Sequence, residues 1–134
     1  LFFVCTTGGP QQIGQLWRFI PGDSDDGGVL ELFLESGDAS LIENADNLTI
    51  APNGDLYVCE DGPLADGITR VTPEGAVQRF AMNSWNTSEL AGPCFSRDGS
   101  TLFVSVQHLG ITIAIQGPWP QDKLRNSTRQ DGGA

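Results

Sequence analysis

The 134-residue sequence predicts an all-β protein whose four-stranded antiparallel sheets repeat along the chain as blades of a β-propeller. Glycine and proline together number 17 + 8 = 25, which favours short strands joined by tight turns over long helices. One short pattern of large and β-branched residues also occurs three times, as expected of a recurring buried strand. Its copies are Phe2-Phe3-Val4-Cys5, Leu56-Tyr57-Val58-Cys59 and Leu102-Phe103-Val104-Ser105.

The segments around these copies repeat as well. Asn53-Gly54 precedes the middle copy and Asp98-Gly99 precedes the last, and both dipeptides favour hairpin turns. Leu16-Trp17-Arg18-Phe19-Ile20-Pro21 matches Ile68-Thr69-Arg70-Val71-Thr72-Pro73 at an offset of 68 − 16 = 52 residues. One complete unit then has strands at about 47–51, 55–60, 67–72 and 76–81. Four short strands in roughly 45 residues are typical of a propeller blade, and the alternative fold is a small β-sandwich.

The chain is expected to hold about two and a half to three such blades. They lie at about 1–35, 46–82 and 92–116 of a partial propeller that covers residues 1–119. Propellers close with about 4–8 blades, so we expect a piece of a larger protein. Its open sheet edges and apolar blade faces predict self-association, with two copies forming a six-bladed ring. Residues 120–134 are polar and aperiodic, which predicts a flexible C-terminal tail.

Composition argues against several classes of function. The formal net charge of −10 and the pI near 4.2 disfavour binding to nucleic acid, whose backbone is also negative. No apolar run approaches the roughly 18 residues that a membrane span requires. The three cysteines, Cys5, Cys59 and Cys94, show no CxxC spacing, so they predict neither a disulfide framework nor a zinc site. We expect them to be small buried side chains.

Acidic residues stand where strands begin and end at one face of the predicted propeller. In a four-stranded blade, the start of the first strand and the end of the second lie at the same edge of the sheet. Carboxylate oxygens suit hard cations such as calcium, and imidazole or thiolate ligands also suit iron. The topology therefore predicts a metal site near the central channel, and its candidate ligands are Asp46, Glu60, Asp61, Glu89 and His108. Each of these residues taken alone has the alternative role of a turn cap or a solvated side chain.

The sequences of several motifs resemble the C-terminal part of the PhoX family of secreted bacterial alkaline phosphatases. The resemblance extends over about residues 9–119, and its ordered series ends in Gly117-Pro118-Trp119. The motifs that carry it are Asp46-Asn47-Leu48, the segment 52–62 around Cys59-Glu60-Asp61-Gly62, the segment 89–104 from Glu89-Leu90-Ala91-Gly92-Pro93 onward, and Gln107-His108-Leu109-Gly110-Ile111-Thr112.

The resemblance implies a six-bladed propeller with calcium and iron ions at its centre, which hydrolyses phosphate monoesters and is exported in folded form to the periplasm or beyond. Asp46 and Asp61 match acidic positions near calcium in the family, and Glu60, Glu89 and His108 match motif positions on the same face. Leu109 departs from the family, which more often has proline there. Basic residues that would bind the phosphate are not identifiable, so we expect this piece alone to be inactive as a phosphatase.

Two other functions are compatible with the predicted fold, because propellers support many unrelated activities. One is a non-catalytic binding module or cell-surface scaffold, and the other is a calcium-dependent, lactonase-like enzyme. Metal content distinguishes the three hypotheses. Iron together with calcium favours the phosphatase, calcium alone favours the lactonase, and the absence of metal favours the scaffold.

Overall fold

The computed structural model describes residues 1–24, 26–63 and 66–119, and these residues form ten strands and no helix. The strands make three antiparallel sheets of three, four and three strands. The first sheet contains β1 (Phe2–Cys5), β2 (Gln15–Pro21) and β3 (Gly28–Glu35). The middle sheet contains β4 (Ala45–Ile50), β5 (Leu56–Glu60), β6 (Gly67–Val71) and β7 (Val77–Met82). The third sheet contains β8 (Leu90–Phe95), β9 (Thr101–Val106) and β10 (Ile111–Gln116).

The prediction of an all-β chain of short antiparallel strands is confirmed. The middle sheet has the four strands expected of a complete unit, in the order β4-β5-β6-β7. The first sheet has counterparts of the last three strands of that unit, and the third sheet has counterparts of the first three. The predicted C-terminal tail at 120–134 lies outside the described residues.

The three sheets stack in chain order, with the middle sheet between the other two. Side chains of a strand alternate between its two faces, and β5 is buried along its whole length because both of its faces are covered. Leu56 and Val58 join a core with Leu16 of the first sheet, whereas Tyr57 and Cys59 join a core with residues of the third sheet. The middle sheet therefore contributes one face to each core.

Aromatic rings fill the outer part of the core between the middle and third sheets. Tyr57 lies at the centre, with edge-on contacts to Phe80 at 5.0 Å, Phe95 at 5.4 Å and Trp119 at 5.6 Å between ring centroids. Edge-to-face pairs of this kind add to the free energy of simple burial. The indole N–H of Trp119 donates to the carbonyl of Ser100 at 2.7 Å, which fixes Gly117-Pro118-Trp119 against the third sheet.

The edge strands β1 and β10 take a register that the repeats do not predict. In the middle sheet Cys59 lies opposite Ile68, but in the first sheet Cys5 lies opposite Gln15, one residue before the counterpart of Ile68. β10 is also displaced by one residue but in the opposite direction, because Ser105 pairs with Thr112, one residue after the counterpart of Ile68. A shift of one residue exchanges the two faces of a strand, and register is weakly specified where one side of the strand has no neighbour.

This difference in register changes the environment of matching residues. Phe3 is 38% exposed, whereas Tyr57, its counterpart in the sequence repeat, is 1% exposed. The expectation that all three cysteines are buried is also wrong. Cys59 is buried and Cys5 is partly buried, but Cys94 is exposed because its side of the third sheet has no sheet packed on it within the described residues.

Among the described residues, no helix has the length and apolar character needed to cross a membrane.

Candidate metal centre

The loops at one end of the three sheets are joined by backbone hydrogen bonds. The N–H of Asp61 donates to the carbonyl of Asn44 at 3.0 Å, which connects the end of β5 to the start of β4. The N–H of Gln107 donates to the carbonyl of Glu89 at 3.1 Å, which connects the end of β9 to the start of β8. Strand starts and strand ends therefore meet at this end of the stack, as the blade topology predicts.

Asp46 is directed by an irregularity in β4. The pairing of β4 with β5 shifts between Ala45 and Asn47, so Asp46 is the residue that bulges out of the ladder. Bulges commonly redirect a side chain in this way. The exposed carboxylate of Asp46 accepts a hydrogen bond from the Thr6 hydroxyl at 3.4 Å and another from the Asn47 side-chain amide.

Glu89 lies beside the carboxylates of Asp61, Asp46 and Asp66. Burial raises the pKa of Glu89, and the negative charge of Asp61, a hydrogen bond with Asp61 and the charges of Asp46 and Asp66 raise it further. Negative charges gathered in this way repel one another, and a bound cation would relieve the repulsion. We call these four residues the acidic cluster.

Asp66 is the member of the acidic cluster that the sequence analysis missed. Its side chain is buried and accepts a hydrogen bond from the backbone N–H of Gly62 at 3.0 Å. Burial raises the pKa of Asp66, and the negative charge of Asp61 adds to the effect, while the Gly62 hydrogen bond opposes it. The pair Asp66-Gly67 at the start of β6 repeats the Asp61-Gly62 pair. This repetition is the feature of the sequence that could have indicated Asp66 as a candidate ligand.

Glu60 points away from the acidic cluster. It is 2% exposed, and its carboxylate pairs with the guanidinium of Arg79 and accepts a hydrogen bond from the Thr69 hydroxyl at 2.9 Å. Successive residues of a strand face opposite sides, so Glu60 lies on the side of the middle sheet that carries Val58 and Thr69. Its two partners satisfy the carboxylate within the protein.

His108 lies in the turn between β9 and β10, and it is exposed. Its backbone N–H donates to the hydroxyl of Ser88 at 2.8 Å, the residue that precedes Glu89. The structure therefore brings the turn that carries His108 beside the entry to β8.

The thiol of Cys59 lies behind the acidic cluster. Burial raises its pKa to about 12, and the charges of Glu60, Asp46 and Glu89 contribute to the increase. Such a thiol stays protonated at neutral pH in the metal-free protein and is a poor soft ligand in that state.

The donor chemistry of this region fits a hard cation. The acidic cluster offers carboxylate oxygens, and the Thr6 hydroxyl lies beside Asp46. Calcium takes six to eight oxygen ligands of these kinds. Within the three described ranges, however, no three Asp, Glu, His or Cys side chains are already arranged to hold one ion in common.

In the comparison with protein-family models, residues 2–110 match the family described as "Alkaline phosphatase PhoX". This match covers most of the chain and includes every candidate ligand, so the protein belongs to the PhoX alkaline phosphatase family. Neither a search of curated proteins nor a search of solved structures finds a match.

Proposed function

We propose that this chain supplies part of the metal-binding face of a calcium- and iron-dependent alkaline phosphatase that hydrolyses phosphate monoesters. The observation that carries the proposal is the convergence of Asp46, Asp61 and Glu89 at one end of the stacked sheets, in a chain that belongs to the PhoX family. In this proposal the sheets are blades of a six-bladed propeller, and the protein acts in the periplasm or outside the cell.

We assign the calcium ligands to the acidic cluster, namely Asp46, Asp61, Asp66 and Glu89. Glu60 has no ligand role in this proposal, because Arg79 and Thr69 already occupy its carboxylate. His108 is the candidate for iron, since imidazole is the one nitrogen ligand that the sequence offers on this face. When bound, such cations act as Lewis acids that neutralise charge on a phosphoryl group.

The proposal also accounts for the lack of available cationic side chains beside the acidic cluster among the described residues. A phosphatase needs cationic groups around the transferred phosphoryl oxygens. Arg18, Arg70 and Arg79 are each paired with a carboxylate, at Glu31, Asp55 and Glu60 respectively. Arg97 lies in the turn between β8 and β9, at the opposite end of the third sheet from Glu89 and His108. We therefore assign the phosphate-gripping residues and the other metal ligands to further blades, and we expect the 134-residue chain alone to be inactive.

Calcium titration of the chain followed by calorimetry tests the ligand assignment directly. We expect Asp61→Asn and Glu89→Gln each to weaken calcium binding by more than about tenfold. Glu74→Gln is the matched control, because it removes the same charge from an exposed turn between β6 and β7. Equal calcium affinity in all four proteins would contradict the assignment.

Activity is tested in a protein that contains this chain together with a complete set of blades. With calcium and iron supplied, we expect it to hydrolyse an aryl phosphate and to lose that activity in the Asp61→Asn and Glu89→Gln variants. Lactone hydrolysis with calcium alone would favour the lactonase-like alternative. Calcium binding without hydrolysis of either substrate would favour a scaffold.

A further inference from the structure

Two sheet faces remain without a packing partner among the described residues. The outer face of the first sheet is the side turned away from the middle sheet, and the outer face of the third sheet is defined in the same way. The first consists of Phe3, Trp17, Phe19, Leu30 and Leu32, with Phe3, Trp17 and Leu32 directly opposite one another. The second consists of Ala91, Cys94, Phe103, Ser105, Thr112 and Ala114.

These two faces correspond to the two sides that pack together at each existing interface of the stack. We call the side of a sheet that corresponds to Ile68 in the middle sheet its Ile68-type side, and the side that corresponds to Val58 its Val58-type side. In each existing interface, the Ile68-type side of one sheet packs on the Val58-type side of the next. Leu16, the counterpart of Ile68, packs against Leu56 and Val58, and Ile68 itself packs against Leu102 and Val104. Judged by β2 and β9, the outer face of the first sheet corresponds to a free Val58-type side and that of the third sheet to a free Ile68-type side, whereas the displaced edge strands β1 and β10 turn Phe3 and Thr112 to these faces. One more sheet-on-sheet contact of the same kind can therefore form between them.

The two faces are also alike in carrying little charge, although the protein has a formal net charge of −10. The third sheet has no charged residue in any of its strands. In the first sheet, Arg18 and Glu31 pair with each other on the side away from the outer face. Glu35 is the charged residue on the outer face, where it lies at the end of β3 and accepts a hydrogen bond from the Gln15 side-chain amide. Large apolar side chains on one face oppose mainly small residues on the other, which permits close packing.

We propose that the outer face of the first sheet of one copy binds the outer face of the third sheet of a second copy. Two such contacts join two three-sheet stacks into a closed ring of 3 + 3 = 6 sheets, a number that propellers commonly adopt. The contact is heterologous, but it closes at two copies because each copy supplies half of the ring. The pairing concerns the 134-residue chain by itself, because in the proposed phosphatase the further blades cover the same two faces. It rests on the propeller geometry of the proposed function, whereas its test measures mass and not phosphatase activity.

Sedimentation equilibrium of the chain tests this pairing. We expect a dimer, and we expect Leu32→Glu and Phe103→Glu each to raise its dissociation constant by at least about tenfold, since both place a charge in an apolar contact. Val29→Glu is the control for the first sheet, because Val29 is 61% exposed on the opposite face of the same strand. Ile50→Glu is the control for the middle sheet, where the residue is 48% exposed on neither outer face. Both controls should dimerise like the parent protein, and far-ultraviolet circular dichroism confirms that each variant is folded.

The two variants together separate this contact from other modes of association. In a 1:1 mixture, Leu32→Glu and Phe103→Glu still share one unaltered contact, so we expect the mixture to dimerise more strongly than either variant alone. Alkylation of the exposed Cys94 should also slow as the dimer forms, because the thiol lies on the buried face. A stable monomer, a dimer insensitive to Phe103→Glu, or an open series of larger oligomers would each overturn the proposal.

Discussion

Glu60 is a predicted ligand whose carboxylate the fold holds in a buried ion pair. Its only polar partners among the described residues are Arg79 and Thr69. Removing one member of a buried ion pair leaves the other charge without compensation, which costs about 3–5 kcal/mol. We therefore expect Arg79→Ala to lower the free energy of unfolding by about 3 kcal/mol.

Arg18→Ala is the matched comparison, because it breaks the pair with Glu31, in which both side chains are more than a third exposed. An exposed ion pair contributes about 0–1 kcal/mol, so this variant should remain close to the parent protein in urea-induced unfolding. Equal losses of stability in the two variants would show that Glu60 is not held as described.

Glu89 makes the stability of the folded protein depend on pH, and replacing Glu89 with glutamine removes this contribution. Its raised pKa means that the folded protein binds this proton more tightly than the unfolded chain does. Stability must therefore fall as the pH rises through the interval above the ordinary carboxyl value of about 4.3. Relative to Glu89→Gln, the parent protein should lose stability between about pH 4 and pH 7 in the absence of metal.

Saturating calcium should reverse this difference at neutral pH, because the ionised carboxylate gains a partner that glutamine does not replace. Thermal unfolding at both pH values, with calcium and with chelator, measures the effect. The pKa of Asp98 is lowered to about 2, which makes stability fall as the pH decreases. This effect is present in both proteins and cancels in the comparison. A difference between the two proteins that does not change with pH would contradict the electrostatic account.

The strands of the middle sheet were predictable from the sequence, because turn dipeptides and buried apolar runs are local signals. The predicted strands at 55–60 and 67–72 correspond to β5 (Leu56–Glu60) and β6 (Gly67–Val71). Register at the sheet edges was not predictable, because it depends on which neighbours a strand has. For the same reason the repeats placed Asp46 at a strand start but did not indicate the bulge that directs it.

The displaced register of β1 makes a prediction about two matching residues. Tyr57→Ala should cost about 3–5 kcal/mol, because its ring is enclosed by aromatic neighbours. Phe3→Ala should cost less than about half as much, since the ring of Phe3 is partly in solvent. Both are measured by urea unfolding in the Leu32→Glu background, which removes the contribution of association. Equal costs would indicate that β1 shares the register of β5.

At the scale of the whole molecule, the two cores are built on opposite faces of the middle sheet. Leu56 and Val58 contribute to one core, and Tyr57 and Cys59 contribute to the other. Neither outer sheet can therefore lose its packing without exposing a face of β5. We expect unfolding to be a single cooperative transition and not the separate melting of three sheets.

Tryptophan fluorescence tests this cooperativity, because Trp17 lies in the first sheet and Trp119 packs beside the third. In the Leu32→Glu background, Trp85, which is 73% exposed, is replaced by phenylalanine, and then either Trp17 or Trp119 is replaced as well. Each protein then reports on one end of the stack. The urea midpoint of each reporter protein should agree with its own circular dichroism midpoint, since one middle sheet supports both cores. A Trp17 signal that changes well before the circular dichroism signal of the same protein would mean that the first sheet detaches independently and that the stack is not one folding unit.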